Sequence, residues 1–104
     1  MKTITATLVS IEAEMQQLQL WNEQRPSDAA LASTQPFCID TLTLPEWIQF
    51  ILLDRLRSMI DQSIALPNQC GVTPIAQEYF KHSELDGMRL TTLLEQLDQQ
   101  LSAQ

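Results

Sequence analysis

Apolar side chains near the amino terminus recur at alternating steps of four and three residues, and this spacing limits what the chain can fold into. Five of them share one face of a helix predicted over residues 3–23: Ile4, Leu8, Ile11, Met15 and Leu18. Glu12 and Glu14 fall on other faces and are expected to be solvated. The spacing predicts an amphipathic helix that packs on other helices and ends before Pro26.

A second helix has a clear start signal. Thr43 suits the N-cap, Pro45 suits the first turn, and Glu46 lies where its carboxylate can reach back to the cap. The residues that follow are apolar over most of the helix circumference, which predicts burial. This helix is expected to end at Leu66-Pro67.

Charged residues along the second helix are spaced for ion pairs within it. Arg57 lies three residues after Asp54 and four before Asp61. Side chains at these spacings are neighbours on a helix surface. We expect two exposed ion pairs, each contributing a few tenths of a kcal/mol.

Two further helices are predicted in the carboxyl-terminal third. Thr73 and Pro74 suit the start of a short helix that runs to about Ser83. Asp86 can cap the next one. Its apolar stripe consists of five leucines: Leu90, Leu93, Leu94, Leu97 and Leu101.

The connection from Pro26 to Leu44 is long but not polar. Its Phe37 and Ile39 are residue types that disordered linkers avoid, so we expect an ordered loop. The sequence leaves open whether this loop is a lid over a groove or closes the core. With no strand or repeat pattern, the chain is predicted to be an all-α four-helix bundle, a single domain over residues 1–104 with a long ordered loop between helices 1 and 2.

Charge and composition limit the kinds of function that the chain can perform. Thirteen acidic and six basic residues give a formal charge of −7, which opposes direct nucleic-acid binding. Two glycines, one histidine and two cysteines are too few for most phosphate loops, metal clusters or nucleophilic triads. Cys38 and Cys70 are expected to be free thiols, and His82 with Glu78 an exposed helix-end pair. We therefore predict no catalytic residues, no metal site and no cofactor.

Targeting signals are weak. The first eleven residues resemble an export signal superficially, but Glu12 and Glu14 interrupt the pattern. The most apolar run, residues 47–53, is far shorter than the roughly 20 residues that a membrane-spanning helix needs. The sequence predicts a cytoplasmic protein with no membrane association.

Two blocks of sequence resemble the YqcC-like family, small gammaproteobacterial proteins of uncharacterised function with a helical-bundle fold. The first block contains Ser33-Thr34-Gln35-Pro36-Phe37, Asp40-Thr41 and Glu46-Trp47, with Gln49 and Arg55. The second contains Leu66-Pro67, Pro74 and Tyr79. Together they span about half of the chain, and no simple physical period generates them. Cys38 and the turn at Cys70-Gly71 depart from the family's pattern.

The resemblance implies an association with tRNA pseudouridine synthase C, beside which family members are typically encoded. It implies no activity of the chain's own, because such a synthase uses an essential Asp on a much larger mixed α/β fold. Asp40 therefore does not inherit a catalytic role. The leading hypothesis is a non-enzymatic interaction or accessory protein, with the synthase as a candidate protein partner.

The alternative hypothesis is a small-ligand-binding helical bundle with a pocket under the 33–44 loop. The residues predicted to form the binding surface or pocket are Gln35, Pro36, Phe37, Asp40, Thr41, Trp47, Gln49, Arg55 and Tyr79. Homodimerisation is also left open, because a stripe such as Ile4 to Leu18 can pair between chains as well as within one.

Overall fold

Five helices make up the structure, a computed structural model that describes residues 2–103. Their bounds are Lys2–Gln17 (α1), Asp28–Leu31 (α2), a continuous helix from Leu44 to Asp61 (α3), Thr73–Lys81 (α4) and Met88–Ser102 (α5). No strand occurs within the described residues, so the all-α prediction is confirmed. Four helices match the predicted ones, and the short α2 lies in the connection between the first two. Met1 and Gln104, the ends of the predicted domain, lie outside the described residues.

The core forms where the predicted apolar stripes meet. α1 packs mainly on α5, and α5 also packs on α4. Four stripe residues of α1 and all five predicted leucines of α5 are buried. The α1 stripe is thus buried within one chain, against α5 and the rest of the core.

The predicted start of α3 is confirmed in detail. The Thr43 hydroxyl accepts a hydrogen bond from the Glu46 N–H, and the Glu46 carboxylate accepts one from the Thr43 N–H at 2.9 Å. These two bonds form a capping box. Further along, Ile48–Leu53 is wound as a π-helical segment between the α-helical turns Leu44–Trp47 and Asp54–Asp61.

Both long helices end earlier than predicted. α1 ends at Gln17 rather than near residue 23, and α3 ends at Asp61 rather than at Leu66-Pro67. In each case a residue in the left-handed region, Gln19 or Ser63, reverses the chain and satisfies the last carbonyl groups. Glycine and asparagine are the usual residues at such positions, so neither stop was visible in the sequence.

The predicted ion pairs within α3 are wrong. The Arg57 guanidinium instead donates to the carboxylate of Glu12 on α1, at 2.8 Å. Arg89 on α5 pairs with Glu14 on α1 at 3.3 Å, and only 13% of the Glu14 side chain is exposed. The two glutamates that were expected to be solvated thus link α1 to its neighbours.

The caps of α4 and α5 also differ from prediction. Thr73 lies within α4 rather than before it, and its hydroxyl is 3.5 Å from Asp98 of α5. Gly87 is the residue before α5, while the Asp86 carboxylate accepts the N–H of Met88. A side chain at position 87 would collide with the ring of Phe80, so glycine permits the close packing of α4 on this turn.

Candidate functional site

An apolar groove lies between α4 and the segment that precedes α3. We call it the α4 groove, and it has a volume of about 770 Å³. Its lining residues are Phe37, Ile39, Leu42, Thr43, Leu44, Pro74, Ile75, Glu78, Tyr79, His82 and Ser83. The volume and the predominantly apolar lining fall within the range of ligand-binding sites in proteins.

The wall formed by residues 36–42 has an unusual backbone. Phe37 and Cys38 both have positive φ angles, 56° and 50°, in a short 3₁₀ turn over Pro36–Cys38. Residues with a side chain rarely adopt this left-handed conformation, because it strains the backbone. Such strain is often found at functional sites. The turn buries Cys38 in the core and leaves Ile39 on the groove with 73% of its surface exposed.

Aromatic contacts hold this wall in place. Phe37 packs edge-on against Trp47 of α3, with ring centroids 4.9 Å apart. On the opposite wall, Tyr79 packs edge-on against Phe80 at 5.1 Å. Since these four rings also pack on the core, both walls are attached to the body of the protein.

The charged lining of the groove is confined to α4. Glu78 and His82 lie one helical turn apart, with the Glu78 Oε1 and His82 Nε2 atoms at 3.0 Å. Both side chains are about two-thirds exposed, so this pair is solvated, as the sequence predicted. The Glu78 carboxylate contributes a formal negative charge at the edge of the groove.

The predicted loop residues are divided between the groove and local structure. Phe37 lines the groove, while Gln35 and Pro36 are exposed outside its lining. Asp40 accepts a hydrogen bond from the Ser33 hydroxyl. The Thr41 hydroxyl donates to the Ala30 carbonyl at 2.7 Å. Asp40 and Thr41 thus stabilise the loop and do not line the groove.

The predicted helix residues are divided in the same way. Tyr79 lines the groove, and Trp47 supports it through Phe37. Gln49 is buried on α3, where its side-chain oxygen and nitrogen both bond to the backbone of Asn22. Arg55 lines a different hollow and is not part of the groove.

Sequence reasoning missed much of the groove lining on α4. The four-residue spacing of Glu78 and His82 predicts that they share a helix face. It does not predict that this pair lines the same groove as Ile39. Leu42 and Leu44 also line the groove, and neither was among the predicted binding residues. Only the packing of α4 against the loop brings these residues together.

Cys70 belongs to a separate cluster, where the chain before α4 meets α5. Its N–H and thiol both contact Asp98 Oδ1, at 2.6 and 3.0 Å, and Thr73 lies on the same carboxylate. Burial, followed by the hydrogen bond to Asp98, raises the pKa of the Cys70 thiol to about 12. The thiol is therefore protonated at neutral pH and is a poor nucleophile.

Residues 2–103 contain neither a metal-ligand cluster nor a helix that could span a membrane. No three His, Cys, Asp or Glu side chains of that range come together as a cluster that could hold a metal ion. Within the same range, every helix is too short or too polar to cross a bilayer.

Comparison with known proteins identifies the family. The model of the DUF446 family, described as tRNA pseudouridine synthase C, matches residues 3–100. The solution NMR structure of protein YqcC from E. coli superimposes with a TM-score of 0.84 at 27% identity, covering 97% of this chain and 86% of that one. The chain belongs to the YqcC-like family. The resemblance noted in the sequence is thus confirmed, as is the helical fold it implied.

Three curated relatives define the similarity further. An uncharacterised protein of Haemophilus influenzae is 35% identical over 71% of this chain and 70% of its own length. The uncharacterised protein YqcC of Escherichia coli K12 is 34% identical over 64% of this chain and 62% of its own length. A Pectobacterium carotovorum protein named tRNA pseudouridine synthase C is 33% identical over 62% of this chain, but this match spans only 17% of that protein.

Proposed function

We propose that this YqcC-like chain is a non-enzymatic accessory protein that binds a protein partner in the α4 groove. The observation that carries the proposal is the apolar lining of the groove, with Ile39 exposed beside it. Contiguous apolar surface on a soluble domain is typical of sites that a partner or ligand covers. The volume and the apolar lining suit the apolar face of an amphipathic helix.

Charge favours a basic partner segment. The chain carries a formal charge of −7, and Glu78 contributes an exposed carboxylate at the groove. Complementary charge accelerates encounter and orients docking. We therefore propose an amphipathic helix that carries Lys or Arg beside its apolar face.

The partner we propose is tRNA pseudouridine synthase C. The family description and the name of the Pectobacterium relative both refer to this enzyme. Because the match spans 17% of that relative, a YqcC-like segment there is part of a much longer polypeptide that is named for the enzyme. A polypeptide that contains a YqcC-like segment and is named for the synthase supports our proposal that a YqcC-like chain and the synthase also associate when they are separate.

Direct binding tests this proposal. The purified chain is titrated into the synthase encoded in the same genome, by calorimetry at low and at moderate salt. We expect saturable binding that weakens as salt rises, because the attraction is partly electrostatic. Binding that is absent, or that has the same affinity at both salt concentrations, would contradict the proposal.

A matched pair of variants locates the binding site. Ile39→Asp places a charge in the groove, while Val9→Asp makes the same change on α1, where 58% of the valine surface is exposed. We expect Ile39→Asp to weaken binding by about tenfold or more, as removal of a central apolar contact does. Val9→Asp should have little effect. Equal affinities for the two variants would place the interface elsewhere.

A second candidate function is the binding of a small amphipathic molecule in the same groove. The volume of about 770 Å³ favours it, because drug-sized ligands occupy cavities of this size. Native mass spectrometry of the protein purified from its own cells tests this function. A bound small molecule that Tyr79→Ala loses would support it, and detection of the unliganded mass alone would count against it.

A further inference from the structure

We propose that the chain has a second binding site, which takes a small phosphate ester. The site is a hollow of about 400 Å³ between α3 and the segment that follows α1, and we call it the arginine hollow. Arg55 of α3 and Arg25 of that segment both line it. They are far apart in the sequence, and the fold brings them to one place.

The two arginines are distinguished by their lack of acidic partners. Arg57 and Arg89 are each paired with a glutamate of α1. Neither Arg25 nor Arg55 forms an ion pair within residues 2–103, and both are exposed. In a chain with a formal charge of −7, two guanidinium groups without an ion pair at one hollow favour an anionic ligand.

The donor set suits a phosphate group better than a carboxylate. Each guanidinium presents a planar fork of N–H donors, which matches two oxygens of a phosphate. The Ser58 hydroxyl also lines the hollow and accepts a hydrogen bond from Gln62, which leaves its proton free to be donated. Three donor groups match the three terminal oxygens of a phosphate monoester, whereas a carboxylate has two oxygens.

The remaining lining suits the organic part of such a ligand. Phe50, Ile51 and Met59 line the hollow and are each half-buried, so they offer apolar surface beside the two arginines. An aromatic side chain can also stack against a planar ring such as a nucleobase. These features favour an ester with an apolar or aromatic group over free inorganic phosphate.

Asp54 limits what the hollow can bind. It lines the same hollow, so two arginines and one aspartate leave a net formal charge of +1 there. This charge is enough to attract one phosphate group. Together with the overall charge of −7, it opposes a long polyanion such as single-stranded RNA. The proposed ligand is therefore a small ester rather than a nucleic acid.

Gln49 links the segment that carries Arg25 to α3. The buried Gln49 side chain accepts the Asn22 N–H at 2.8 Å and donates to the Asn22 carbonyl at 2.7 Å. Arg25 follows Asn22 by three residues, and Arg55 lies further along the same helix as Gln49. Gln49 is thus a positioning residue that ties the Arg25 segment to α3.

Calorimetric titration of the whole chain with adenosine 5′-monophosphate tests the proposal, with adenosine and inorganic phosphate as comparison ligands. We expect the monophosphate to bind with a Kd in the millimolar range or below. Adenosine, which lacks the phosphate, should bind at least about tenfold more weakly. Amide chemical shifts should change at Phe50, Ile51 and Ser58.

Charge variants test the assignment of residues. Arg25→Gln and Arg55→Gln should each weaken binding of the monophosphate by about tenfold, because each removes a charged donor. Asp54→Asn should strengthen it by about two- to fivefold, since it removes a nearby negative charge. Lys81→Gln, which removes an exposed cation on α4, is the matched control and should leave the affinity unchanged.

Several results would overturn the proposal. These are the absence of saturable monophosphate binding at millimolar concentration, equal binding of adenosine, or the same loss of affinity for Lys81→Gln as for the two arginine variants. Tighter binding of a short single-stranded RNA than of the monophosphate would identify a nucleic-acid site instead. None of these measurements involves the α4 groove, so their failure leaves the proposed partner binding unaffected.

Discussion

The α1–α5 side of the molecule and the α4 groove side use apolar residues in opposite ways. Between α1 and α5, apolar stripes are buried against each other, and ion pairs from Glu12 and Glu14 link α1 to α3 and α5. At the groove, Phe37 and Cys38 adopt the left-handed backbone conformation, and Ile39 is exposed. The first arrangement increases the stability of the isolated chain, while the second gains stability only when something covers it.

Truncation of one apolar residue on each side should give the largest contrast in stability. Leu97→Ala removes a fully buried side chain of α5 and should lower the free energy of unfolding by about 2–5 kcal/mol. Ile39→Ala should change it by about 0.5 kcal/mol or less, because most of the isoleucine is already in water. Urea denaturation of both variants measures the difference. Similar losses would show that Ile39 is part of the core.

The link between Gln49 and Asn22 should give an intermediate effect. Gln49→Leu removes both side-chain hydrogen bonds and leaves the backbone groups of Asn22 without these partners. We expect a loss of about 1–3 kcal/mol in the free energy of unfolding. Gln62→Leu is the control, because Gln62 is exposed and its side chain bonds only to Ser58 among the described residues. If the two variants had the same free energy of unfolding, the buried Gln49 amide would make no specific contribution to stability.

The Cys70 contact should change the free energy of unfolding only in alkali. The folded state raises the pKa of the Cys70 thiol from 9.0 to about 12, so the unfolded chain loses this proton first as the pH rises. The associated stability is complete below about pH 9 and decreases up to about pH 12. Urea denaturation at several alkaline pH values should show a steeper decrease for the native chain than for Cys70→Ser. An equal decrease of the free energy of unfolding with pH in the native chain and in Cys70→Ser would contradict this prediction.

The sequence predicted those parts of the fold that depend on local pattern. The apolar stripes of α1 and α5 and the capping box of Thr43 and Glu46 follow from spacing alone, and all three are present. The ends of α1 and α3 were mispredicted because Gln19 and Ser63 adopt a conformation that their residue types do not signal.

The candidate site was less predictable because it depends on contacts between distant segments. Tyr79 and Phe37 were predicted as binding residues and line one groove, but the placement of Ile39 depends on the backbone of the preceding turn. Arg55 was predicted to belong to the same surface, whereas the structure places it beside Arg25. No periodicity in the sequence relates residues 25 and 55, so only the folded chain shows that they meet.

We propose that the groove side of this YqcC-like protein is the surface that binds its protein partner. Amide hydrogen exchange of the chain, measured with and without the purified synthase, tests it most directly. The account predicts that binding protects residues 37–44 and 73–83 and leaves exchange in α1 and α5 unchanged. Protection centred on α1, or no change at any residue under conditions where the synthase is in excess, would contradict it.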